Sequence, residues 1–169
     1  MKVVVDTNCL LNSINRKNVE YEIYKAFDNQ LFTWVVSTEI LCEYYEVISE
    51  FYSPQTADLV LGILTTSRKI EFAAPYFRWN LVENDPDDNK FADLAISVNA
   101  NYLISNDKHF KFFKKLKFPR LDVIKSKEFV KIIKIQMQML SASRNNSVMD
   151  LKLSGNSSKL RFISTTDKQ

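Results

Sequence analysis

The sequence predicts an α/β fold built on a parallel sheet. Short apolar runs with no polar face, KVVVD (2–6), FTWVVS (32–37), NYLISN (101–106) and LDVIK (121–125), alternate with longer stretches whose apolar residues recur at helical spacing. Strands that are apolar on both faces belong in a sheet covered on both sides, which is the parallel case. A chain of 169 residues that is 46% hydrophobic can bury one sizeable core but hardly two.

Helices are expected at 19–29, 38–52, 54–67, 88–99, 108–115 and 127–140. Thr38 can cap the helix carrying Glu39 and Glu43, and Ser126 can cap the helix carrying Glu128. Asp85-Pro86 offers a cap followed by proline at a first helical position. Residues 68–84 are ambiguous: KIEF reads as a short strand, and the rest as a connection into the helix at 88. From Ser141 the composition turns small and polar, so the domain is expected to span 1–140, with a linker and tail over 141–169. In that tail DLKLSGNSSKLRF alternates, with Leu151, Leu153, Leu160 and Phe162 on one face around a Ser-Gly-Asn-Ser turn, a β-hairpin pattern whose alternative is a frayed tail.

Composition narrows the chemistry. No stretch approaches the roughly 20 apolar residues of a membrane span, and Met1-Lys2 leads directly into a strand, so a cytoplasmic protein is expected. Cys9 and Cys42 form no CxxC and lie in apolar surroundings, which reads as two free buried thiols. His109 is the only histidine, which argues against triads and histidine-ligated metal sites. The net charge of +3 favours a polyanionic partner only weakly.

In an open parallel sheet, ligands bind beyond the carboxyl ends of the strands, and acids gather there. Asp6 ends the first strand, Asp107 follows NYLISN, Glu43 lies one turn into the helix after FTWVVS, and Asp88 opens the helix leading to NYLISN. Carboxylates crowded together repel unless a cation shares the site. An all-oxygen set fits Mg²⁺ or Mn²⁺, and the chemistry that follows is phosphoryl or phosphodiester hydrolysis. Asn8, with Thr7 or Ser105, can orient a ligand or a water. Each acid also has a plainer role: Asp6 and Asp107 as helix caps, Glu43 as a solvated helix residue beside Glu39, Glu46 and Glu50, and Asp88 as one of several turn acids with Asp85, Asp87 and Asp93.

These blocks, VVVDTNCLLNS, VSTEILCEYYEVI, DPDDNKFADLAISVNANYLISND and DVIKSKEFV, together resemble the PIN domain family over about residues 1–135. The likeness is greatest to its bacterial and archaeal branch of toxins from toxin–antitoxin pairs. The resemblance implies a Rossmann-like sheet of order 3-2-1-4-5 and a metal-dependent nuclease, usually acting on single-stranded RNA and usually dimeric. It carries the family's acids onto Asp6, Glu43, Asp88 and Asp107, and its polar site residues onto Asn8 and Ser105. Aligning the third acid on Asp85 or Asp93 would require a gap. Ser105-Asn106-Asp107 replaces the family's more usual Thr-Gly-Asp or Thr-Arg-Asp and keeps hydroxyl and acid.

The segment NDKHFKFFKKLKFPR places Lys108, Lys111, Lys114 and Lys115 among four phenylalanines directly after Asp107, where they can hold a phosphate backbone; the alternative is a solvated helix face over core aromatics. Tyr44, Tyr45, Tyr52, Tyr76 and Trp79 are further candidates for stacking on bases. The resulting expectation is a Mg²⁺- or Mn²⁺-dependent endoribonuclease, the toxin of a toxin–antitoxin pair, held inactive by a cognate antitoxin. A haloacid dehalogenase-like phosphatase would want an aspartate where Asn8 stands, and a phosphoacceptor receiver domain would leave Glu43 and Asp88 without a task. A catalytically idle nucleic-acid or partner-binding protein is the third alternative.

Overall fold

The computed structural model describes the backbone of residues 1–159 and the side chains of residues 1–142. Five strands, β1 (Lys2–Val5), β2 (Thr33–Val36), β3 (Ile70–Phe72), β4 (Tyr102–Ile104) and β5 (Val123–Ile124), form one sheet of order β3-β2-β1-β4-β5 in which every pairing is parallel. The helices are α1 (Thr7–Ile14), α2 (Tyr21–Asp28), α3 (Thr38–Phe51), α4 (Pro54–Thr66), α5 (Asn89–Ser97) and α6 (Ser126–Lys159), with short 3-10 segments at Pro86–Asp88 and Lys108–Lys115.

The β-branched strands pair because they are buried on both faces. Val3, Val4 and Val5 are fully covered, as are Trp34, Val35 and Val36 beside them and Leu103 and Ile104 on the other side. Phe27, Phe32, Trp34 and Phe129 pack edge-on or tilted beneath β2, with centroids 5.3 Å apart for Phe27–Trp34 and for Phe32–Phe129. Side chains of this size contribute about 1.5–3 kcal/mol each when fully buried. The ambiguous KIEF segment becomes β3 because β2 has an unpaired edge, and Trp34, Val35 and Val36 take Ile70, Glu71 and Phe72 as register partners.

The chain crosses from β1 outward through β2 to β3, then returns to the other side of β1 as β4 and β5. Its direction of winding therefore reverses between β1 and β4, and the crevice at their carboxyl ends is the place where this topology exposes loops to a ligand.

Several local expectations are corrected. The expected helices begin at residue 19, yet Thr7–Ile14 forms α1, which Asp6 caps and whose inner face Cys9 and Leu10 bury. Ser37, not Thr38, caps α3 by accepting from the Ile40 amide at 3.2 Å. Ser126 is the first residue of α6, and its hydroxyl bonds to Asn106 rather than to its own helix; the helix start is held by Glu128, which accepts from the Lys125 amide at 3.2 Å. Asp85 makes no capping bond. Residues 108–115 form a 3-10 rather than an α-helix, and its three-residue period puts Phe110 and Phe113 on one buried face. Cys9 is buried but Cys42 is exposed, because Ile40, Tyr44 and Ile48 form the inner stripe of α3.

Packing divides the chain into a compact unit, Met1–Ile133, and a second unit beginning at Lys134. The second unit is helical through Lys159, with Ser141 bonding back to the Gln138 carbonyl at 2.8 Å. The linker at Ser141 and the first arm and turn of the expected hairpin therefore lie within α6, where each residue adds one helical hydrogen bond to a helix already begun. Leu160 and Phe162, its second arm, fall outside the described residues. No helix among the described residues is long and apolar enough to cross a membrane.

Candidate active site

Asp6 leaves β1 into the switch-point crevice and is 3% exposed. Its two oxygens are held separately: Oδ1 accepts from the Asn8 amide at 3.1 Å, and Oδ2 accepts from the Ser105 hydroxyl at 2.6 Å. Ser105 directly follows the neighbouring β4 and also accepts from the Asp107 amide at 3.0 Å, so one hydroxyl fixes the loop that bears the second acid to the carboxylate of the first. Asp107 Oδ1 in turn caps the following segment through the His109 amide at 2.7 Å.

Glu43 comes from α3, whose angle to β1 is fixed by the buried Tyr44 hydroxyl donating to the Val5 carbonyl. Thr7 donates to Glu43 Oε1 at 2.5 Å, and Lys90 Nζ lies 2.6 Å from Oε2. Asp88 stands at the entry to α5, two residues before Lys90. The turn before it is pinned to α5 by Asn89, which accepts from the Val82 amide at 2.9 Å and donates to the Val82 and Pro86 carbonyls at 3.2 and 3.0 Å.

Asp6 and Asp88 both feel the charges of neighbouring acids. Burial raises the Asp6 carboxyl above its ordinary value, the bonds from Ser105 and Asn8 oppose that rise, and the charges of Glu43 and Asp107 add to it. The Asp88 carboxyl is pushed up from 3.8 to about 7, first by burial and then by Asp6, Asp85, Asp107 and Glu43. Asp88 Oδ2 is buried and has no hydrogen-bond partner. A donor set of crowded carboxylate oxygens, one of them orphaned, fits a hard divalent cation, which supplies the missing partner and cancels the repulsion.

Three neighbours of this cluster are not among the site residues expected from the sequence. Lys90 is the counter-charge of Glu43. Asp85, read as a cap, turns its carboxylate toward His109, with Oδ2 at 3.7 Å from Nδ1. Asp85, Asp88 and His109 offer ligand atoms within 4.8 Å of one another, so the lone histidine borders the acidic cluster rather than arguing against a metal there. The sequence signal was the histidine two residues after Asp107, too short a motif to interpret alone. Asp93 is excluded from the cluster: it is buried beneath the preceding loop and accepts from the Trp79 amide at 3.0 Å. Glu39 points instead to Arg78, at 3.5 Å, and Glu46 and Glu50 are exposed.

The lysine segment divides as its spacing requires. Phe110 and Phe113 enter the core, whereas Lys108, Lys111, Lys114 and Lys115 are exposed. Lys111 and Lys114 share a groove of about 310 Å³ with Ser105 and Asp107, which joins the basic face to the acids. Asn8 is exposed at the start of α1, and its described contact with the cluster is through its backbone amide. Of the other aromatic candidates, Tyr44 is buried in the core, while Tyr45, Tyr52 and Tyr76 are exposed.

Comparison with known proteins agrees with this architecture. Residues 2–109 match the family model described as PIN domain, a family of nucleases. Among solved structures, the chain is similar in fold to a chain of VapBC2 from Rickettsia felis, bound in its crystal to a DNA fragment from the promoter. That match has a TM-score of 0.52 and 19% identity, covering 74% of this chain and 98% of that one. No curated protein matches in sequence.

Proposed function

The chain belongs to the PIN domain family, and from that premise we propose that it is a metal-dependent endoribonuclease of single-stranded RNA, the toxin of a type II toxin–antitoxin pair. The observation that carries this reading is charge crowding at the crevice: the Asp6 and Asp88 carboxyls are both raised by burial and by neighbouring acids that include Glu43 and Asp107, and Asp88 Oδ2 is buried without a hydrogen-bond partner. These four residues would hold Mg²⁺ or Mn²⁺. Such an ion, when bound, activates a water for in-line attack and neutralises charge developing on the phosphate.

The chain's own residues prepare that site. Ser105 and the Asn8 amide fix the Asp6 carboxylate, so that it need not reorganise when a ligand arrives. Thr7 and Lys90 hold the two oxygens of Glu43 in one orientation. Lys108, Lys111, Lys114 and Lys115 attract the phosphate backbone, and binding through them weakens steeply as salt rises. The fold shared with a VapBC2 chain supports a cognate antitoxin as partner; the reading also includes a homodimer acting in the cytoplasm.

A binding protein without turnover is favoured by one observation, that both oxygens of Glu43 are already engaged by Thr7 and Lys90. One experiment separates the two. Labelled single-stranded RNA and DNA are incubated with the protein in Mn²⁺, Mg²⁺ or EDTA, beside Asp6→Asn. Cleavage of RNA that requires the metal and Asp6 supports the nuclease. Cleavage indifferent to both EDTA and the substitution sinks it, and binding without any cleavage supports the idle reading.

A further inference from the structure

Between β3 and α5 the chain runs through Tyr76, Phe77, Arg78 and Trp79, and three aromatic side chains in this neighbourhood are turned to solvent. Tyr76 is 99% exposed, Phe77 63% and Phe118 75%. Exposed aromatics of this size are costly unless something covers them in use. They are also held in an ordered arrangement. Trp79 stands between Phe77 and Phe118, with centroids 5.1 and 5.5 Å away and interplanar angles of 74° and 79°. Its own backbone is tied down by the buried Asp93, which accepts from the Trp79 amide at 3.0 Å. Phe118 belongs to the segment that follows the four exposed lysines, so this packing joins the loop after β3 to the end of the basic strip.

The cations around these rings stand among acids, with Arg78 3.5 Å from Glu39 and Arg120 3.6 Å from Asp122. Arg78 projects between Phe77 and Trp79 in sequence and is exposed, and Lys117 and Arg120 flank Phe118. Arg78 and Lys90 line one pocket of about 190 Å³ together with Glu39, Asp87 and Asp93, and Lys90 is the residue paired with Glu43. A ligand for this surface must therefore present flat apolar faces together with regularly spaced negative charge. Duplex nucleic acid hides its faces in the stack; a single strand offers both.

We propose that Tyr76, Phe77 and Phe118, braced by Trp79, are a stacking platform for unpaired bases of a single-stranded polynucleotide whose phosphates are held by Arg78 and the basic strip. The platform rests on the nuclease reading for its ligand and deepens it, since it makes strandedness a property read by protein side chains outside the acidic cluster. It also gives the loop between β3 and α5 a task that its burial pattern alone leaves unexplained.

The test is binding rather than cleavage, carried out in EDTA. Fluorescence anisotropy is measured with a labelled single-stranded oligoribonucleotide, the same backbone made abasic, and a duplex of equal length. The wild-type protein should bind the single strand tightest. Replacing the three exposed rings together (Tyr76→Ala, Phe77→Ala, Phe118→Ala) should weaken that binding by about 5-fold to about 100-fold, the range of one stacked base lost, while leaving the abasic strand nearly unaffected. Trp79 supplies a second readout in the wild-type protein. The chain has two tryptophans and the other, Trp34, is fully buried, so quenching by the single strand but not by the abasic strand reports on the platform directly. Affinity unchanged by the triple substitution, or equal losses on the normal and abasic strands, overturns the proposal. A triple variant that sediments at a smaller oligomeric size yet binds RNA normally overturns it as well and assigns the surface to contact between copies. Because no metal is present, failed cleavage would count against the nuclease and leave this result standing, and failed stacking would leave metal-dependent cleavage standing.

Discussion

The Ser105 hydroxyl donates to Asp6 Oδ2 at 2.6 Å, a bond between residues 99 positions apart that joins the carboxyl ends of β1 and β4 at the point where the sheet reverses its winding. Ser105 Oγ also accepts from the Asp107 amide, so two of the four acids are set by one side chain. Ser105→Ala should therefore lower stability by about 1.5–3 kcal/mol, the usual worth of a hydrogen bond to a charged group. Urea denaturation with an unchanged m-value is the check, and a loss within experimental error would show that Asp6 is held by other means.

Crowding of the acids has a pH signature in the metal-free protein. The Asp88 carboxyl is raised from 3.8 to about 7 in the folded chain, so folding favours its protonated form. Its contribution is fully present below the unfolded value and is lost as pH rises through the folded one. In EDTA, stability should fall between pH 4 and about 7 more steeply for the wild type than for Asp88→Asn, whose side chain cannot ionise. Parallel pH profiles from chemical denaturation would contradict the crowding.

Lys90 offsets part of that repulsion by pairing with Glu43 at 2.6 Å, with only 14% of its side chain exposed. Lys90→Met keeps the aliphatic stem and removes the charge. The metal-free variant should lose about 1–3 kcal/mol, between the worth of an exposed pair and that of a buried one. Saturating Mn²⁺ should narrow the difference, because a bound cation takes over the neutralisation. Thermal melts with and without Mn²⁺ measure both quantities, and a gap that widens with metal would mean that Lys90 serves the metal-bound state instead.

The sheet and the acids were legible in the sequence for the same reason. A parallel sheet buries both faces of its strands, so VVVD and YLISND read as strands that end in acids, and topology alone brings their carboxyl ends side by side. Asp6 and Asp88 feel the charges of Glu43 and Asp107, whereas the ligand atoms that approach within 4.8 Å among the described residues are those of Asp85, Asp88 and His109; the catalytic and metal-binding roles of the four acids rest on the proposal above. What escaped depends on shorter or longer ranges. TNCLLNSI is two turns of helix with asparagine and serine in place of strong helix formers, and it is helical because Asp6 caps it and the core takes Cys9 and Leu10. Lys90 and the Asp85–His109 approach are side-chain meetings that no local pattern encodes. The alternation of DLKLSGNSSKLRF suggested a hairpin, but over 151–159 the continuing helix prevails.

The central claim is that the four acids share one divalent ion. Room-temperature electron paramagnetic resonance of Mn²⁺ tests it most directly, because the free aquo ion gives a sharp signal that binding removes. Titration of the wild-type protein should remove the signal saturably, and Asp6→Asn and Asp88→Asn should each weaken binding at least about tenfold, at the level of loss seen when a metal site's supporting groups are removed. Binding by either variant equal to the wild type, or no saturable binding by the wild type, would contradict the account.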